Sequence, residues 1–126
     1  MEIEINNDLY QNAAKGNDRT EEGYDNLKKE ITGDKLALMH YCLGMSGECG
    51  EIVDIIKKYV MYEKKLEVEK IAEECGDFLW YMANLLTLIG YSFDDVMKIN
   101  VNKLNKRYPN GFTKKDAIER KDLTNS

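Results

Sequence analysis

Two short segments of this chain mirror each other, Glu48-Cys49-Gly50-Glu51 and Glu74-Cys75-Gly76-Asp77. Each sets two acids three residues apart, a spacing that places both on one face of a helix. The two pairs share a midpoint between residues 62 and 63, where the charged run Glu63-Lys64-Lys65 reads as a turn. An antiparallel helical hairpin turning there puts Glu48 opposite Asp77 and Glu51 opposite Glu74, so the carboxylates meet as two rungs. Glu48 is in register with Ile52, Ile55 and Tyr59, and Glu74 with Ile71, Phe78 and Tyr81. The acids therefore lie on the stripes that the two helices turn toward each other.

The rest of the chain agrees with an all-α class. Pro109 is its only proline, so long stretches lack a helix breaker. A short helix is expected over about Asn7 to Ala14, ended by the polar run Lys15 to Asp18, and a second near Thr20. The hairpin's first helix opens at Asp34 to Leu36, is expected to bend at Gly44 or Gly47, and continues to Tyr59. Its second runs from about Val68 to Ile89 and stops at Gly90. A further helix starts at Ser92, a good N-cap, carries Asp94 and Asp95 in its first turn, and reaches Arg107. Tyr108-Pro109-Asn110-Gly111 reads as a turn. The organisation expected is a weakly determined helical segment over residues 1–30, a catalytic antiparallel bundle of about four helices over 31–112, and a polar, partly disordered tail over 113–126. An amphipathic hairpin flanked by Trp80, Met82 and Leu85 offers more apolar face than one further helix covers, so oligomerisation is expected to complete the fold.

Several function classes are excluded by composition. The chain has 18 basic and 23 acidic residues and a net charge of -5, which opposes general nucleic-acid binding. The longest uncharged stretch, Phe78 to Phe93, is shorter than the roughly 20 residues a bilayer span needs. The N-terminus lacks a basic and apolar leader pattern, so a cytoplasmic protein is expected. Three cysteines without a Cys-x-x-Cys spacing fit a reducing compartment, as small buried thiols and not as zinc ligands with His40.

Carboxylates crowded on a core-facing stripe repel one another, and that arrangement makes sense when a cation sits among them. All-oxygen ligands select a hard ion, Mg²⁺ first and Mn²⁺ second. The bland reading, acids on a solvated face paired with lysines, suits Asp54 with Lys57 or Lys58. It does not explain two mirrored pairs in apolar register. A di-iron bundle would need Glu-x-x-His motifs, which the single histidine, His40, does not make.

At this point the sequence resembles the MazG-like family of all-α nucleoside triphosphate pyrophosphohydrolases, in its short single-domain form. The resemblance rests on Leu43-Gly44-Met45-Ser46-Gly47-Glu48-Cys49-Gly50-Glu51, on Glu73 to Tyr81, and on Asn100 to Phe112. Gly47 stands where many family members have an acid directly before the first glutamate. The resemblance implies Mg²⁺-dependent hydrolysis of a nucleoside triphosphate, often a deoxynucleotide, to monophosphate and pyrophosphate by a homodimer or homotetramer. It implies Glu48, Glu51, Glu74 and Asp77 as metal ligands, with Glu48 and Glu51 the two candidates for orienting the attacking water. Lys103 and Arg107 match phosphate-contact positions, against the plain reading of bases at a helix C-terminus. Tyr81 is a candidate for the base or sugar, against a core role, and His40 for the nucleotide site, against a structural one. Trp80 is expected at a helix or subunit interface. The competing function class is a non-catalytic, metal-stabilised helical interaction module.

Overall fold

The computed structural model describes residues 2–123; Met1 and the last three residues of the expected tail lie outside the described residues. Within them are six α-helices and one 3-10 turn, with no strand. The chain divides into two compact units, Met1–Leu36 and Ala37–Ser126.

The first unit holds α1 (Asn7–Gly16) and α2 (Glu21–Glu30). Both start on side-chain caps, Asn6 accepting from the Leu9 amide and Thr20 from the Gly23 amide. Asp18, in the break between them, accepts from the Tyr24 hydroxyl and the Arg19 amide, which fixes the corner. That hydrogen bond holds the Asp18 carboxyl below its ordinary pKa and pushes the Tyr24 phenol up.

α3 (Gly33–Met61) crosses the boundary and runs through the second unit as one helix, so neither Gly44 nor Gly47 interrupts it. A helical glycine costs about 1 kcal/mol against alanine, too little to break a helix flanked by Leu43, Met45 and Glu48. Beyond Met61 the chain turns with Glu63 in the left-handed region, φ 52°, while the Lys64 amide donates back to the Lys58 carbonyl. α4 (Val68–Ile89) then returns antiparallel to α3, as the contacts of Gly44 with Tyr81 and of Glu48 with Glu74 require. It ends in a Schellman motif: Gly90 takes φ 82°, its amide reaches the Thr87 carbonyl, and the Tyr91 amide reaches Leu86. α5 (Phe93–Arg107) opens on a full capping box, Ser92 and Asp95 each satisfying the other's backbone amide. Gly111, at φ 86°, makes the turn after Pro109 possible.

The expected polar tail is structured. Thr113 caps α6 (Lys114–Glu119), and a 3-10 turn over Lys121–Leu123 packs against α5. The second unit thus contains the four helices α3 to α6.

Gly44 sets how closely α3 and α4 approach. A methyl group at its Cα would lie 2.5 Å from the Tyr81 ring, so only glycine admits that ring. Elsewhere the hairpin is open. Among the described residues only Ile55 and Leu86 are buried apolar side chains, while Leu43, Val53, Val60, Leu79 and Trp80 stay exposed. Cys42, Cys49 and Cys75 are exposed too, which corrects the expectation of buried thiols.

Glycine-to-alanine changes on α3 should therefore split by position. Gly47→Ala, whose methyl group meets nothing within 4 Å, should stabilise by about 0.5–1 kcal/mol through helix propensity. Gly44→Ala should instead destabilise by about 1–3 kcal/mol through overpacking against Tyr81. Urea unfolding midpoints of the two variants check the opposite signs.

Candidate metal centre

The antiparallel return of α4 brings like charges together. One carboxylate oxygen from each of Glu48, Glu74 and Asp77 lies within 4.8 Å of the others. Glu48 and Glu74 are half-buried and Asp77 is exposed. A hydrogen bond that the Glu74 carboxyl donates to Glu48 pushes it above its ordinary range, and partial burial and the charges of Glu48, Asp77 and Glu73 push the same way. Glu51 is exposed and stands outside this compact set, about 4.5 Å further along α3 than Glu48.

These groups fit a divalent cation. All donors are carboxylate oxygens, the set suited to a hard ion. Opposite ligands of Mg²⁺ stand about 4.2 Å apart, so the observed 4.8 Å spread closes with a small side-chain adjustment. A cation would also remove the repulsion that raises Glu74.

One helical turn beyond Asp77, Tyr81 lays its ring against the Gly44 backbone and meets the His40 ring edge-on at 5.7 Å between centroids. His40 also stacks on Tyr41. Tyr81 thus wedges the hairpin while its side faces a cleft. Glu48, Asp77, Trp80 and Tyr81 line this open cleft of about 320 Å³. Trp80 is the residue that sequence reasoning assigned elsewhere. Its signal was the spacing of three from Asp77, which shares a face just as the spacing of four to Tyr81 does.

Residues 36–112 match the MazG nucleotide pyrophosphohydrolase domain family. The chain belongs to that family. It is also 30% identical over 78 residues to the "Gene 37 protein" of Mycobacterium phage L5, an alignment covering 59% of this chain and 68% of that protein. No solved structure matches the chain. The matched span takes in the carboxylates, the cleft and all of α5, so the MazG domain accounts for the fold class and for a nucleotide pyrophosphohydrolase at the family level.

Two α5 bases of the MazG domain were expected on phosphates. Lys103 is exposed. Arg107 is engaged: its Nε and Nη2 both donate to the Asp122 carboxylate, at 2.8 and 2.9 Å. Arg120 adds contacts to the same carboxylate at 3.3 Å. The Asp122 side chain is 1% exposed, and the two guanidinium groups hold its carboxyl well below the usual range while Arg107 shifts upward. Asp122 lies past the matched span. Nothing local marked it, since its partner is 15 residues away.

A depressed carboxyl stabilises the folded tail fully above its unfolded pKa, about 3.9, and loses that contribution as pH falls toward the folded value. The Leu123 amide, which donates to Arg120, should therefore lose protection, measured against its intrinsic exchange rate at each pH, below about pH 4 and keep that protection from pH 5 to 8. Asp122→Asn should show the lower protection at every pH. Amide hydrogen exchange followed by mass spectrometry checks both.

Proposed function

We propose that this chain hydrolyses a nucleoside triphosphate, with deoxynucleotides included, to nucleoside monophosphate and pyrophosphate, using Mg²⁺ or secondarily Mn²⁺. The observation that carries this reading is the convergence of Glu48, Glu74 and Asp77 at the wall of a cleft. Membership of the MazG nucleotide pyrophosphohydrolase family supports attack at the α-phosphorus. Glu48, Glu51, Glu74 and Asp77 would hold the metal, which would supply positive charge against the charge that builds on the reacting phosphates. Glu51, exposed and one turn from Glu48, is free to accept a proton from water, and Glu48 is the other residue able to orient that water. Lys103 is assigned to the phosphates with Arg107, whose fork Asp122 holds in a fixed orientation. Tyr81 and His40 form the aromatic wall on the nucleoside side.

A second copy of the chain belongs to this reading. Two buried apolar side chains among the described residues are far fewer than a stable domain of this size needs, and the exposed Leu43, Val53, Val60 and Leu79 are apolar surface that a second copy would cover. Among the described residues no helix is long and apolar enough to cross a membrane. Three exposed free thiols suit a reducing cytoplasm.

With a panel of nucleoside triphosphates and Mg²⁺, chromatography should show monophosphate and pyrophosphate; diphosphate with orthophosphate would overturn the assignment. Magnesium should raise the melting temperature, by an amount equivalent to about 2.7 kcal/mol at a hundredfold excess over Kd. Glu74→Gln should abolish turnover and the magnesium-induced shift yet leave the metal-free protein at least as stable as wild type, because a repelling charge is gone. Sedimentation equilibrium should give at least twice the 14.6 kDa chain mass.

A further inference from the structure

The cleft beside the carboxylates has two aromatic walls, and they are not equivalent. Tyr81 is half-buried, its ring spent on Gly44 and His40. Trp80 is 70% exposed, and among the described residues no ring stacks on its indole and no side chain hydrogen-bonds to it. Its backbone carbonyl alone is used, accepting from Asn84. An indole standing free, one helical turn from a metal-ligating aspartate and on the same cleft, calls for a flat apolar partner.

We propose that Trp80 is the stacking surface for the nucleobase of the substrate. This rests on the pyrophosphohydrolase reading, which puts the phosphates over Glu48, Glu74 and Asp77. The three-residue step from Asp77 to Trp80, about 4.5 Å of helix rise, then separates the phosphate end from the indole, so a nucleoside extending from the α-phosphate runs along α4 onto Trp80. A cleft of about 320 Å³ is at the small end of ligand pockets, which span about 300–1,000 Å³. It accommodates the nucleoside while the phosphates stay at the open carboxylate end. Stacking uses the π-face that every base has, so it selects nucleotides over bare polyphosphates without reading one base. The substrate class this implies is nucleoside triphosphates of several bases.

Trp80 is the only tryptophan, so its emission reports the site directly. The full chain is titrated with the α,β-methylene analogues of ATP and CTP and with tripolyphosphate, each with Mg²⁺, and calorimetry is run alongside. Both nucleotide analogues should quench Trp80, and tripolyphosphate should bind without quenching. Trp80→Ala should raise KM for the triphosphates about tenfold or more, within the range found for loss of one base–aromatic stack, while Trp80→Phe keeps KM within about threefold. Nucleotide analogues that bind by calorimetry and leave the emission unchanged would overturn the stacking role and leave the hydrolase reading standing. Emission that is blue-shifted and shielded from iodide before any ligand is added would place Trp80 between copies of the chain and also overturn it. Absence of both nucleotide binding and turnover would overturn the two readings together.

Discussion

The close antiparallel approach of α3 and α4 is the constraint on which the rest depends. It is possible because Gly44 has no side chain where the Tyr81 ring lies. The same approach forces Glu48, Glu74 and Asp77 together and raises Glu74 against its neighbours. Packing and electrostatics therefore oppose each other across one hairpin. The aromatic contact joins the helices where the bare carboxylates repel one another, a repulsion that a cation bound among them would relieve.

Within the second unit, stability is distributed unevenly. Termini are well defined by local chemistry, with a Schellman motif closing α4 and a capping box opening α5. Side-chain burial is sparse, with Ile55 and Leu86 the only buried apolar residues among those described. The most enclosed polar feature lies at the other end of the chain, where Asp122 receives two guanidinium groups. A carboxylate that is nearly inaccessible survives there only because it is fully paired. Its effect is to tie the tail to α5 and to orient the arginine that the family resemblance places on phosphate.

Much of this was legible in the residues. The mirrored acids announced the hairpin, because a spacing of three fixes a helix face and a shared midpoint sets the antiparallel return, although Glu74 meets Glu48 where the midpoint put it opposite Glu51. Gly44 and Tyr81 share that midpoint as well. The bounds of α4 and the caps at Thr20, Ser92 and Gly90 follow from local rules whose physics is confined to one turn. The expected bend in α3 did not appear, since glycine weakens a helix without breaking it.

The sequence by itself therefore determined the helical class, the helix ends and the antiparallel hairpin that carries the acids, all products of local propensity and periodicity. Tertiary structure alone decided three things. It drew Glu48, Glu74 and Asp77 into one set and left Glu51 outside, because a helix rise of a few ångström separates residues that a face diagram superimposes. It put Trp80 on the cleft, because two adjacent side chains flank Asp77's face together. It folded the tail and gave Arg107 to Asp122, a pairing across 15 residues of chain that only the folded geometry brings within hydrogen-bond reach.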